Sequence, residues 1–339
     1  MKYLFTLLTF VASFSVIQAQ EQTTKLLQET ARTLVQKGDF DNAVVILERA
    51  KQQEPGNIEI LKDLCFASYL KRDFGKSIEV GKELVEKPNA DEQSFQILGF
   101  SYKATANSKE AAKLYRTALR KFPNSGVIYN EYAELLASDN ELEEAITQWE
   151  KGIEVDPVYS SNYYNATMYY ARKNNWIRAA LYGEIFLNLE SYSKRTEETK
   201  TQLLAVYNSL LAPASLQQLK DAKTTSVFEK NILEVLAKNA GSTKGNNNIE
   251  DLISVRTKFI VEWVSSKQKT YPFQLFNHQQ YLLSQALFEA YNYWLFGTEA
   301  NADKYLAWQK THVKETEGFK TFQQSRVFKL PVGEYYFTH

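Results

Sequence analysis

Apolar positions in the first half of the chain are spaced for helices, and the spacing itself repeats. Leu27, Leu61, Phe95, Tyr129 and Tyr163 stand 34 residues apart. Four residues after each comes a small one, Ala31, Cys65, Gly99, Ala133 and Thr167, and Leu34, Tyr102, Leu136 and Tyr170 follow three later. Steps of three and four put these on one helical face, with the small residue where a neighbouring helix comes closest. A second small series, Ala43, Ser77, Ala111, Ala145 and Ala179, keeps the same step, with Leu47, Tyr115 and Trp149 four residues on. Polar turn-formers separate the two series at Lys37-Gly38-Asp39, Lys71-Arg72-Asp73, Asn107-Ser108, Asp139-Asn140 and Lys173-Asn174-Asn175, and Pro55, Pro88, Pro123 and Pro157 close the units. The pattern predicts five helix hairpins over 20–192, at about 24–57, 58–91, 92–125, 126–159 and 160–192. A lone hairpin cannot bury both of its apolar faces, whereas stacked hairpins share them.

Repeat three carries Phe95, Leu98-Gly99, Tyr102, Ala111, Tyr115, Ala118 and Pro123, and repeat four carries Tyr129, Tyr132-Ala133, Leu136, Ala145, Trp149, Gly152 and Pro157. In this set the chain resembles the tetratricopeptide-repeat family over about half of its length. Repeats one, two and five match less well: Gly81 and Gly183 stand where a large residue is usual, Ser191 departs from the pattern, and Pro88 comes one early. The resemblance implies an all-α solenoid wound as a right-handed superhelix, its inner surface lined by first helices that bind a peptide or a partner helix. Carried over repeat by repeat, that lining comprises Gln28 and Arg32; Lys62, Phe66 and Tyr69; Gln96, Phe100 and Lys103; Asn130 and Glu134; and Tyr164, Met168 and Arg172. Aromatics and Arg suit such a surface because they bury much area at low entropic cost. Some relatives capture a terminal carboxylate with Lys, Asn and Arg. Phe66, Phe100 and Glu134 occupy several of those places here, so the expected partner is neutral or of mixed charge. A second reading of Phe66 and Phe100 is packing between adjacent first helices.

The second half, 193–339, reads as a helical domain without the strict step. Ser193–Leu211 is amphipathic and suited to cover the open end of repeat five, and Ala212-Pro213-Ala214 stops it. Helical patterns follow at about Thr225–Lys238, Ile249–Lys267, His278–Phe296 and Asn301–Thr321, with a Gly/Asn-rich loop over Ala240–Asn248. Tyr281–Phe296 and Asn301–Val313, hinged at Gly297-Thr298, have the proportions of a degenerate repeat; the other reading is a separate all-α domain. Phe288, Tyr291, Tyr293, Trp294, Tyr305 and Trp308 are expected to be core, and Gly333–Phe337 an extended tail.

Met1-Lys2, the apolar run Tyr3–Ile17 and Ala19 before Gln20 form the three parts of a signal peptide, 1–19, which predicts export, with the bacterial periplasm favoured over secretion, and no membrane insertion of the mature chain. Forty basic and forty acidic side chains cancel, which argues against a nucleic-acid partner. The balance is uneven: 20–193 holds 21 basic and 26 acidic residues and 194–339 holds 18 and 14, so self-association of complementary halves is a further reading. Three histidines and one cysteine give no zinc set and no nucleophile–His constellation, Gly241–Gly245 lacks phosphate-loop spacing, and Glu141, Glu143 and Glu144 suit a helix N-terminus. No metal, cofactor or catalytic residue is expected. The reading is a non-enzymatic interaction scaffold of the cell envelope. Its alternative is an enzyme whose active site lies in 194–339, marked by convergent ionisable side chains in a pocket, with the repeats as a docking arm.

Overall fold

The computed structural model describes residues 22–221, 226–240, 248–325 and 328–333. The signal-peptide span 1–19, most of the 240–248 loop and the end of the tail lie outside them. Among the described residues every element is helical. These residues fall into two compact units, one ending at Glu141 and one beginning at Leu142.

Unit 1 holds α1 (22–36), α2 (Phe40–Gln53), α3 (Ile58–Leu70), α4 (Phe74–Val85), α5 (Glu92–Ala104), α6 (Ser108–Lys121) and α7 (Gly126–Ser138). From α2 on, each helix packs on the next, and the first helices α3, α5 and α7 also pack in sequence. Local chemistry starts these helices where the period places them. Asp39 and Asp73 accept from the backbone N–H of Asn42 and Lys76 at the starts of α2 and α4. Asn57, Asp91 and Ser125, 34 apart, cap α3, α5 and α7, with Asp91 and Ser94 forming a reciprocal box. Ala31, Cys65, Ala133, Ala43, Ser77 and Ala111 are all wholly buried. Gly99 is obligatory, since a Cβ there would collide with the Tyr115 phenol. Gly81, an oddity in the sequence, has the same logic: a Cβ would lie 2.8 Å from Leu98 Cδ1 and 3.2 Å from Cys65 Sγ, so its absence lets α4 and α5 close. Cys65 packs there as a small apolar residue, its thiol pushed up to about 11 by burial.

The helix-to-helix turn is also periodic. Gly38, Arg72, Ala106 and Asn140 take positive φ (78, 65, 54 and 66°). At Arg72 its N–H bonds to Tyr69 O and the next N–H to Ser68 O, the paired bonds of a left-handed helix end. The same two bonds recur at each of the other three.

Unit 2 holds α8 (Leu142–Val155), α9 (Ser160–Arg172), α10 (Trp176–Leu189), α11 (Lys194–Leu210), α12 (Pro213–Asp221), α13 (Val227–Ala240), α14 (Ile249–Ser266), α15 (Gln274–Ser284), α16 (Phe288–Thr311) and α17 (Val313–Ser325). α9 and α10 pair through the same turn, with Asn174 at φ 57°, and α11 covers α10, with Leu203 against Gly183. Trp263 stands edge-on to Phe276 at 4.9 Å between ring centres and Phe273 to Phe276 at 5.0 Å, the aromatic heart of this unit.

Several boundaries differ from those read in the sequence. Pro213 ends nothing for long: it opens α12, where a missing N–H costs nothing. The span His278–Phe296 is two helices, broken at Gln285–Leu287 by Ala286 at φ 55°, whose turn carries the same paired bonds as those of unit 1. α15 and the start of α16 are therefore joined by a left-handed turn of the kind seen between the helices of unit 1. No hinge occurs at Gly297-Thr298; Gly297 is pressed against the Tyr305 ring, and the helix breaks at Asn301 (φ −168°, ψ 101°), whose side chain caps Lys304 N–H at 2.9 Å. Asn301–Thr321 is likewise split, at His312. Ahead of the expected tail, Phe328 and Leu330 are buried, and Phe328 meets the His278 ring at 5.1 Å.

Candidate functional site

The residues of unit 1 expected to line an inner face lie on α1, α3, α5 and α7, and their polar side chains reach across to the next first helix. Gln28 Nε2 and Arg32 Nε both donate to Asp63 Oδ2, at 2.6 and 2.8 Å. Lys62 Nζ donates to Asp91 at 2.9 Å and Glu59 at 2.5 Å. Gln96 and Lys103 both donate to Glu131, at 2.9 and 2.5 Å, Lys103 lies 3.5 Å from Glu134, and Asn130 donates to Glu134 at 2.9 Å. Lys62 and Asn130, read in the sequence as open lining, are instead buried. Burial alone would lower the Lys62 ammonium, yet Glu59 and Asp91 hold it above its usual value. Most of these side chains act as struts from one first helix to the next.

Beside the exposed Arg32 and Glu134, this face carries a cluster of aromatic rings. Phe66 is 37% exposed and stacks on Tyr69 with 6.3 Å between centres; Tyr69 meets Phe100 at 5.8 Å and Phe74 at 5.9 Å, and Lys103 Nζ lies 5.5 Å from the Phe100 ring. Phe66 and Phe100 thus do pack between neighbouring first helices, through Tyr69, and still present a continuous apolar patch. The remaining lining residues belong to unit 2. Tyr164 donates to Glu198 at 2.8 Å beneath the Arg195 guanidinium, Met168 is half-buried and Arg172 exposed.

Unit 2 contains a charged core the sequence reading missed. Arg256 on α14 bonds Glu184 on α10 through two nitrogens, at 2.6 and 2.9 Å. Glu184 also accepts from Gln279 (2.5 Å), Tyr291 (2.8 Å) and Tyr207 (3.0 Å), and Arg256 Nε donates to Asn292 at 2.6 Å. Burial alone would raise the Glu184 carboxyl; the guanidinium and these donors hold it below its usual range. The signal was present: Leu252, Arg256, Phe259 and Trp263 share the core stripe of α14, where an Arg must find a buried partner. A second cluster sets Arg178 between Glu229 (3.0 Å) and Glu150 (3.6 Å), with Tyr170 donating to Glu150 at 2.5 Å.

Convergent ionisable groups do exist in this unit, but they saturate one another. The cavity beside Arg256 and Gln279 is about 30 Å³, room for one water. A cleft of about 240 Å³ between α16 and α17 is walled by Trp294, Tyr305, Trp308 and Phe319; Lys320 lines it, with no carboxylate or histidine. Among the described residues no cluster of three His, Cys, Asp or Glu is placed to hold a metal, and no helix is long and apolar enough to cross a membrane.

No family model and no curated protein matches the sequence. Among solved structures the chain is similar to MamA 41-end from Desulfovibrio magneticus RS-1 (17% identity, 50% of this chain and 97% of that one, TM-score 0.41). It is also similar to YrrB, described as a TPR protein with an unusual peptide-binding site (16%, 55% and 96%, 0.38), and to Pseudomonas aeruginosa pilF (14%, 64% and 98%, 0.47). What identifies the repeats is internal to the chain: helix pairs at a step of 34, small residues wholly buried at the crossings, and one left-handed turn at Gly38, Arg72, Ala106, Asn140 and Asn174. Helix pairs closed by this left-handed turn thus recur at the 34-residue step from α1 to α10, the all-α hairpin architecture expected from the resemblance to tetratricopeptide repeats.

Proposed function

We propose that this protein is a non-enzymatic interaction scaffold of the bacterial cell envelope, exported behind a cleaved signal peptide, and that it docks a peptide or partner helix on the aromatic inner face of unit 1. The observation that carries the reading is the aromatic cluster of Phe66, Tyr69 and Phe100, joined by Phe74 at the start of α4, with Phe66 exposed among polar side chains that largely pair with one another. Such a patch gives affinity through buried aromatic area and asks little of the partner's charge. Support for export is the sequence Met1–Ala19. The experiment is in-cell crosslinking and pull-down of the tagged chain beside a Phe66→Asp, Phe100→Asp variant that retains its circular dichroism. A partner held by the wild type and lost in the variant supports the reading; partners unchanged by both substitutions move the working surface elsewhere. Cell fractionation with sequencing of the mature N-terminus tests export, with Gln20 expected as the first residue.

A further inference from the structure

The outer face of α6 carries a different kind of surface. α6 buries Ala111, Leu114, Tyr115 and Ala118, and its opposite side presents Lys109, Lys113, Arg116 and Arg120, all exposed. Steps of four, three and four set these cations in one line, about 16 Å long at the rise of a helix. Among the described residues no carboxylate comes within 4.0 Å of any of them; Arg116 donates to the Tyr132 hydroxyl at 3.2 Å and Arg120 to Thr117 at 2.9 Å, both neutral. Of the twelve cations of the unit outside α6, seven sit on carboxylates, among them Lys51 with Glu83, Lys71 with Asp41, Lys76 with Glu48 and Lys103 with Glu131, and no other helix of the unit lines up four unpaired ones. The stripe does little for its own helix. Like charges three and four apart repel, and Lys109 sits in the first turn, at the positive end of the helix. Only Arg120, in the last turn, is well placed for the dipole.

We propose that the outer face of α6 docks an acidic peptide segment of a partner protein, its carboxylates laid along Lys109, Lys113, Arg116 and Arg120. Charge complementarity sets the occupant and also its size. Outside α6, residues 22–141 carry twelve Lys and Arg against seventeen Asp and Glu, so a broad anionic surface would meet an acidic surround, while a short acidic segment meets the stripe alone. The exposed residues of this face include no large apolar side chain that would enter a lipid layer. The site lies on a second helix and does not depend on the aromatic inner face.

The test is fluorescence anisotropy of a labelled oligoglutamate peptide of about eight residues with the purified chain at about 50 mM salt, beside an oligoglutamine control. The expected result is binding of the acidic peptide alone, weakened about tenfold or more at about 300 mM salt and lost to a similar degree in a Lys109→Gln, Lys113→Gln, Arg116→Gln, Arg120→Gln variant. Phe66→Asp with Phe100→Asp leaves this binding unchanged, which separates it from the inner face. Should the fourfold variant lose its helical signal, Lys113→Glu with Arg116→Glu carries the same comparison. Equal affinity in wild type and variant, or no binding at low salt, overturns the proposal. Two further outcomes also overturn it by giving the face another occupant: stripe-dependent sedimentation with phosphatidylglycerol vesicles in the absence of peptide binding, and stripe-dependent self-association by analytical ultracentrifugation.

Discussion

In unit 1 the charges of the inner face pair from one first helix to the next, Arg32 to Asp63, Lys62 to Asp91 and Lys103 to Glu131, and most of these pairs touch water. In unit 2 one carboxylate and one guanidinium 72 residues apart are enclosed together, with three other side chains filling the bonding capacity of Glu184. A strut that recurs can lose a member while water and its neighbours take over. An ion pair without access to water cannot, because removal of either partner strands the other charge in a low dielectric. Arg256→Met is therefore expected to cost about 3–5 kcal/mol of unfolding free energy in urea titrations, against about 1 kcal/mol or less for Arg32→Met, whose side chain is half exposed. Adding Glu184→Met to Arg256→Met should restore more than half of the loss. Equal costs for the two single substitutions would erase the distinction between the units.

The same difference governs what the sequence discloses. A contact that recurs every 34 residues writes its period into the chain, so the small residues at helix crossings and the five hairpins were legible from Ala31, Cys65, Gly99 and their partners alone. Glu184–Arg256 occurs once and leaves no period, and Arg256 reveals itself only as a charge on the apolar stripe of α14. For the candidate site, the spacing grouped polar and aromatic side chains of the first helices alike, whereas the structure ties most of the polar ones to one another. Spacing tells which residues point inward; it does not tell that Lys62 will meet Asp91 one repeat on. The α15–α16 turn was misplaced for a related reason: Ala286 is a helix-former by composition, and its left-handed backbone accompanies the closing bonds of Ala286 N–H to Leu283 O and Leu287 N–H to Leu282 O, which leave no mark in the sequence.

A sharper probe of the repeat side is Gly99. The Tyr115 phenol occupies the space a Cβ would need, so Gly99→Val should cost about 2–3 kcal/mol through displaced packing, whereas Gly56→Ala, with nothing within 4 Å, should change stability by less than about 0.5 kcal/mol. If Gly99→Val is tolerated as well as Gly56→Ala, the crossings of unit 1 are looser than its buried small residues indicate.

The cluster around Arg178 separates the units by pH. Burial pushes the Glu150 carboxyl up to about 7, against the Tyr170 hydroxyl and Arg178, and Glu229 adds to the rise. The folded state thus holds this proton more tightly than the unfolded chain, and the stabilisation is full below about 4.5 and lost as pH rises through about 7. Glu150→Gln should remove that step and make the chain more stable than wild type by about 2 kcal/mol at pH 8, the two converging near pH 4.5. Carboxylates held low, such as Asp91 and Glu184, act in the opposite sense as pH falls and are common to both proteins. A constant gap across the whole range would show that Glu150 does not titrate in this window.

The smallest effect bears on whether the units share a structural grammar. Ala106 and Ala286 hold φ of 54 and 55°, where a Cβ is costly, and both are exposed. Ala106→Gly and Ala286→Gly should each stabilise by about 0.5–1 kcal/mol, the relief of strain outweighing the added freedom of the unfolded chain. Asn140→Gly should gain less, since Asn tolerates this backbone. The pair is informative because only Ala106 lies on the 34-residue step. Equal gains would mean that α15–α16 closes by the same left-handed turn as the repeats, with its sequence pattern worn away and its backbone retained. A gain at Ala106 with a loss at Ala286 would mean that the later turn is not left-handed in solution, and the hairpin kinship of unit 2 would then end at α10.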